Sequence, residues 1–358
     1  MGTLGRAAVL AVGAVSLVTL ACRPKKRSNP PLCTFKSSTD EELASQSLTP
    51  QQWMPIVSPA IDRATLERRG SLRDACGRVL EAEAEPWPAC PGKAPPAVPR
   101  ATDAIEPTDL VIGQVGEGRL LVWAATEELA TGDVMGPAAL VFWTESGLEV
   151  HATGKLRGLR EDSRLRLHLS TGVPVVILDA ERCDAEGRCT TITKFFPIVA
   201  RRFKDVPVLD PEGNCLGDAS FVLDRREEQV VPGKLTRRFV LQRTIELSDD
   251  GIYLIDLVTG DELDPNDPVG TVKPFRRVSA RRKLDFVEDH FVLRDRDLWE
   301  HVLRDDGLVR PGEVQRKDAE EVELPSAKGK KGKKGKRGKK GKKDDSRDDE
   351  DEAYDEDG

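Results

Sequence analysis

Seven cysteines stand at 22, 33, 76, 90, 183, 189 and 215, and they are the side chains of this chain whose type and spacing most plainly imply covalent chemistry. Cys183 and Cys189 bracket Asp184-Ala-Glu-Gly-Arg188, a turn-like segment between two apolar, β-branched runs at 174–179 and 190–196. A hairpin there brings the two sulfurs within bonding distance. The competing use of cysteine is metal ligation. No CxxC pair occurs, and the histidines at 151, 168, 290 and 301 stand at no ligand spacing from a cysteine, so disulfides are the preferred reading and no metal or cofactor is expected. The oxygen-rich segment 260–267 offers Asp261, Asp264 and Asp267 as calcium ligands, but its spacing is not that of an EF-hand loop, and prolines at 265 and 268 favour a turn. GxSxG, HExxH, GxxxxGK[ST] and GxGxxG motifs are all missing. His168 lies on the polar side of its strand and reads as solvated; Trp143 and Trp299 read as core aromatics.

The first of the seven cysteines has a different setting. Arg6 precedes an apolar run of roughly fifteen residues ending Thr19-Leu20-Ala21-Cys22, shorter than the about twenty residues a membrane span needs. This segment resembles bacterial lipoprotein signal peptides, although leucine or valine is commoner than threonine at the position of Thr19. The resemblance implies that 1–21 are removed, that Cys22 becomes the mature N-terminus, and that it carries palmitate-type acyl chains. Each buried methylene contributes about 0.8 kcal/mol, so two or three chains anchor a protein essentially permanently. A cell-envelope location follows, with the outer membrane as default because Arg23 is not a retention aspartate. The rival topology is an inner-membrane signal anchor of reversed orientation, favoured by Arg23, Lys25, Lys26 and Arg27 directly after the apolar run. With Cys22 assigned to lipid, Cys33, Cys76, Cys90, Cys183, Cys189 and Cys215 form an even set able to close three disulfides in an oxidising space. Beyond 183–189 the partners stay open, with Cys76 set to pair with Cys90 or Cys33.

The elements that must carry these residues divide the chain into five parts. After the signal, 22–58 is basic and then polar, and reads as a lipidated tether. Residues 59–104 read as a short helical segment over 59–85, capped by Ser58 with Pro59 at its first position, followed by a proline-dense linker anchored by Cys90. Residues 105–304 read as an all-β domain. Apolar runs at 110–115 and 119–124, and at 139–143 and 148–152, form two hairpins. Strict alternation at 164–169 and 238–247 gives strands with one wet face. Turns are expected at 210–214, at 249–251 and at Thr259-Gly260-Asp261, and a short helix at 295–304. The expected class is mainly β, an antiparallel sandwich, barrel or propeller-like domain.

Residues 305–358 read as a disordered tail, in which Gly-Lys-Lys units over 328–343 precede an almost wholly acidic block. The acidic block offsets the lysines and no aromatic residue stands among them to stack on bases. The partners expected of the tail are therefore an envelope polyanion or protein, not nucleic acid. A net charge of -7 with a third of the residues charged fits a soluble body. The function expected is a non-enzymatic, membrane-anchored binding or scaffold module. The alternative is a lipid-anchored envelope hydrolase using a pair of loop carboxylates.

Overall fold

The computed structural model describes residues 30–36, 48–80, 90, 100–102, 105–130, 132–145, 147–160, 162–169, 172–183, 187–231, 235–263, 271–294 and 297–305. Cys22 and the Lys/Gly-rich and acidic tail lie outside them. No helix among the described residues is long and apolar enough to cross a membrane.

The chain begins with β1 (Cys33–Lys36) and helix α1 (Pro50–Val57). It continues with β2 (Arg100–Ala101), β3 (Leu110–Gly116), β4 (Arg119–Ala124), β5 (Glu127–Glu128), β6 (Val134–Thr144) and β7 (Gly147–Gly158). Next come β8 (Arg164–His168), β9 (Val175–Cys183), β10 (Cys189–Val199) and β11 (Arg202–Phe203). After β12 (Pro207–Leu209), β13 (Cys215–Asp218) and β14 (Ser220–Val222), four long or terminal strands follow: β15 (Asp224–Val231), β16 (Leu235–Ser248), β17 (Gly251–Leu263) and β18 (Val272–Val287). The strand β19 (His290–Leu293) and helix α2 (Leu298–Asp305) close the fold.

Twelve strands make one sheet with the path β2-β5-β6-β7-β11-β10-β9-β8, to which β3 and β4 add through β6, β1 through β7, and β14 through β10. Seven strands make the other, ordered β13-β12-β19-β18-β17-β16-β15. The first sheet curls into a half-barrel. Its β8 comes up against β3 so closely that a Cβ on Gly113 would stand 2.4 Å from the carbonyl oxygen of Leu165. Only glycine fits that approach. The expected mainly β class is thus realised as a half-barrel plus an open sheet. Pairing is antiparallel except for β11 with β7 and β12 with β19, which are parallel.

Alternation on β4 and β9 explains how the half-barrel buries both faces. Leu121 and Trp123 point inward to meet Leu156, Leu165, Val176, Leu178, Phe196 and Phe203. Val122 and Ala124 point outward beneath Trp53, Met54 and Val57 of α1. On the opposite wall Val175, Ile177 and Phe195 face Ile252, Leu254, Leu284 and Phe291 of the second sheet. Farther along that sheet Phe239, Leu241 and Val258 are covered by Leu298, Trp299 and Val302 of α2. Strands buried on both faces carry apolar residues at every position, which is why they read as continuous apolar runs.

Four expectations are corrected. The helix stands at Pro50–Val57, wholly before the expected 59–85, of which 81–85 lie outside the described residues; Pro50 takes its first position and the Gln52 side chain accepts from the Thr49 amide at 2.6 Å. Residues 58–80 form turns instead. Asp62 accepts the amides of Ala64 and Thr65, and Asp74 those of Cys76 and Arg78, so side chains outcompete the helical ladder. Positive φ at Leu66, Gly70 and Gly77 breaks it outright. Of the periodic apolar residues, Ile61 and Leu72 are buried nonetheless, whereas Val79 is exposed. Second, 22–58 is not all tether: β1 pairs in register with β7, Cys33 opposite Val150, and α1 belongs to the core. Third, Thr259-Gly260-Asp261 is no turn but part of β17, where a register shift between Gly260 and Asp261 leaves Phe275 of β18 as the extra, bulged residue, its ring against Gly260. Fourth, Trp143 is only partly buried, its ring edge-on to Trp53 with centroids 6.1 Å apart. The two expected hairpins at 110–124 and 139–152, the turn at 210–214 and the closing helix are present.

Candidate functional site

Six of the seven cysteines pair. Cys33 bonds Cys76, Cys90 bonds Cys215, and Cys183 bonds Cys189. The first staples β1 to the turns of 58–80, and the second ties the fully buried Cys90 to β13. The third closes the β9–β10 hairpin, whose register places Cys183 directly opposite Cys189. Cys22 lies outside the described residues. Of the calcium candidates, Asp261 lies on β17 with its carboxylate 2.9 Å from the Arg238 guanidinium, and Asp264 and Asp267 lie outside the described residues. A cation there would have to displace an arginine.

Among the described residues, interior polar groups form ion networks that were not anticipated from the sequence, three of them centred on Asp74, Arg157 and Asp256. At the turns of 58–80, the fully buried Asp74 accepts from Thr153 Oγ1 at 2.9 Å and from Arg202 Nη1 at 2.8 Å through one oxygen, while its other oxygen takes the two amides named above. Every lone-pair direction on that carboxylate is engaged, so it fastens the turns to β7 and β11. Near the end of β7, Arg157 Nη2 lies 2.6 Å from Asp218 and 3.7 Å from Asp205, and Arg157 Nε 3.8 Å from Asp133. Lys194 and Arg182 also reach Asp133. Burial alone would lower the Arg157 guanidinium, but Asp205, Asp218 and Asp133 more than reverse it, and its pKa stands above the ordinary arginine value. In the second sheet the fully buried Asp256 holds Arg243 through two bonds, 2.6 and 3.1 Å, and Arg282 through a third at 2.6 Å.

These carboxylates are engaged by cationic side chains, hydroxyls and backbone amides, and so fasten strands and turns to one another. Asp62, Glu228 and Asp250 are shifted downward, by the Thr65 and Ala64 amides, by the Arg226 guanidinium, and by the Ser248 and Tyr253 hydroxyls respectively.

One rim of the half-barrel carries a different arrangement. Phe142 on β6 is stacked on the His151 ring, centroids 4.0 Å apart, with the Arg119 guanidinium 5.1 Å from its centroid. Glu149 holds His151 Nε2 at 3.1 Å. A bulge between Leu140 and Val141 sets this register, leaving His151 without a cross-strand partner. The group brings cationic, aromatic and anionic side chains together at half-buried positions. His168, expected to be solvated, is half-buried, and its Nε2 is shielded without a hydrogen-bond partner among the described residues. Trp299 is the core aromatic expected of it.

A signal for the buried ions did exist: a charge standing in the apolar phase of a strand. Arg243 falls in step with Phe239, Leu241, Ile245 and Leu247, and Asp256 in step with Ile252, Leu254 and Val258. Nothing local marks Asp74 or Arg157, whose partners are remote in sequence. No family, no curated protein and no solved structure matches the chain, so the site is described by its own geometry.

Proposed function

We propose that this chain is a lipid-anchored cell-envelope protein of non-enzymatic type, a disulfide-braced β module that binds or scaffolds a partner at the membrane surface. The observation that carries the reading is the cysteine pairing. Six cysteines bond with one another inside the β body, leaving for acylation the one that ends an apolar, signal-like run. Three disulfides favour an oxidising compartment, which for a bacterial envelope protein lies beyond the inner membrane. The networks around Asp74, Arg157 and Asp256 support the scaffold reading, because their carboxylates are taken up in fastening strands and turns to one another. The outer membrane is the location proposed, and the Lys/Gly-rich segment the place where an envelope polyanion or protein would engage.

Growth with a radiolabelled fatty acid tests this directly. The wild-type chain should take up label and fractionate with envelope membranes, and Cys22→Ala should lose the label while keeping the β body folded. A wild-type chain that takes up no label overturns the lipid anchor and leaves the reversed signal anchor in its place.

A further inference from the structure

The three disulfides are not equivalent. Cys33 and Cys76 pack against the core and Cys90 is fully buried, whereas Cys183 and Cys189 are both exposed. Cys183–Cys189 also closes by far the shortest loop, a separation of 6 residues against 43 and 125. Its hairpin is held independently by the β9–β10 ladder, which runs from Cys183 and Cys189 to Val175 and Pro197. A thiol can therefore reach this bond, and opening it releases little of the fold.

The surroundings give the opened pair something to do. Glu181 and Cys183 are two residues apart on β9, so their side chains leave the same face of the strand, and Cys189 stands across from Cys183 on that face. The Glu181 carboxylate and the two sulfurs all lie within 4.8 Å of one another. Around tetrahedral zinc, Zn–S bonds of about 2.3 Å bring two thiolates to within about 4 Å of each other, and a carboxylate oxygen takes a third position at a bond of about 2.0–2.2 Å. Directly opposed cysteines with a same-face glutamate match that spacing and donor set.

We propose that Cys183–Cys189 is a reducible pair whose dithiolate form, together with Glu181, binds a thiophilic divalent cation, Zn2+ being the best fit. The redox step balances with a dithiol donor, small molecule or protein. One donor thiolate attacks a hairpin sulfur, breaking the S–S bond and forming a mixed disulfide. The second donor thiol resolves it and the donor leaves as its own disulfide, two electrons and two protons having passed to Cys183 and Cys189. Zinc then displaces those two protons, and its fourth position stays open to water. The hairpin tip would thus carry metal only when reduced. The inference does not depend on the lipid anchor.

The test uses the folded full-length chain. After graded dithiothreitol under native conditions, alkylation and peptide mass mapping should find Cys183 and Cys189 modified at reductant levels that leave the other four body cysteines protected. The reduced protein, desalted without oxygen and given zinc sulfate, should retain about one zinc per chain and regain resistance to alkylation at both thiols. The oxidised protein and the reduced Cys183→Ser/Cys189→Ser variant should retain none, and Glu181→Gln should bind at least about ten-fold more weakly. Reduction of the other two disulfides as readily, failure of the reduced protein to hold zinc, full uptake by the double serine variant, or unchanged affinity in Glu181→Gln would each overturn the site.

Discussion

Replacing Asp256 by alanine should be among the most damaging single changes in the second sheet. Its carboxylate is fully buried between two guanidinium groups whose side chains are only 5% and 1% exposed, Arg243 and Arg282. Arg243 is held by two bonds to it and Arg282 by one, so the substitution removes three charge-assisted bonds at once. It also leaves two cations in an apolar layer between Leu254 and Val258. Breaking a buried pair by removing one partner costs about 3–5 kcal/mol, and here two partners are stranded, which points to the upper end. Arg243 keeps a weaker contact, 3.5 Å to Asp297, which lessens the loss on that side. Urea unfolding with the disulfides intact, followed by fluorescence of the buried Trp123 and Trp299, should show the loss as a lower midpoint. Because the network is dry, added salt should barely change it. The triple replacement Asp256→Leu/Arg243→Met/Arg282→Met should recover most of the stability, since a packed apolar layer is often as stable as a buried ion network. A loss below about 1 kcal/mol in Asp256→Ala would place the group in the range of a solvated surface pair and refute the reasoning.

Loop-closure entropy ranks the disulfides. With separations of 6, 43 and 125 residues, loss of Cys183–Cys189, Cys33–Cys76 and Cys90–Cys215 should cost about 2, 4 and 5 kcal/mol in turn, and equal shifts in denaturation midpoint among the three double serine variants would contradict that order. Asp62 and Asp250 should titrate below the ordinary aspartate value of about 3.9 in NMR pH series. Carboxyls depressed in the folded state contribute stability present above the unfolded value and lost as pH falls through the folded one, so Asp250→Asn should soften the acid side of the stability curve. Midpoints at or above the ordinary value would remove this term. Gly113→Val should destabilise by about 1–3 kcal/mol or more, because β3 must move away from Leu165 to admit a side chain, and an unchanged midpoint would mean that the half-barrel is not closed at that seam.

What the sequence disclosed and what it hid follow from how far apart the determining residues lie. The 183–189 staple was readable because one hairpin supplies both partners and the turn between them. The strand pairs 110–124 and 139–152 were readable for the same reason, each alternation and its turn being contiguous. The 59–85 helix failed because apolar spacing reports at most which residues are buried, not the backbone that buries them. Ile61, Leu72 and Ala75 are buried, but Asp62 and Asp74 capture local amides, and those side-chain bonds decide the backbone. The choice of half-barrel over sandwich or propeller rests on contacts such as Gly113 with Leu165, which no local pattern encodes. Asp74 shows the limit most clearly. Its partners Thr153 and Arg202 lie 79 and 128 residues away, and only once β7 and β11 pair do they form a pocket for one carboxylate. Arg243 and Asp256 differ, because each interrupts an apolar phase on its own strand. An ionisable side chain in a core phase must be paired or neutralised, so two such interruptions of opposite sign on adjacent strands predict each other. The register sets Arg243 directly across from Asp256, which makes this the one buried network that alternation alone could have found.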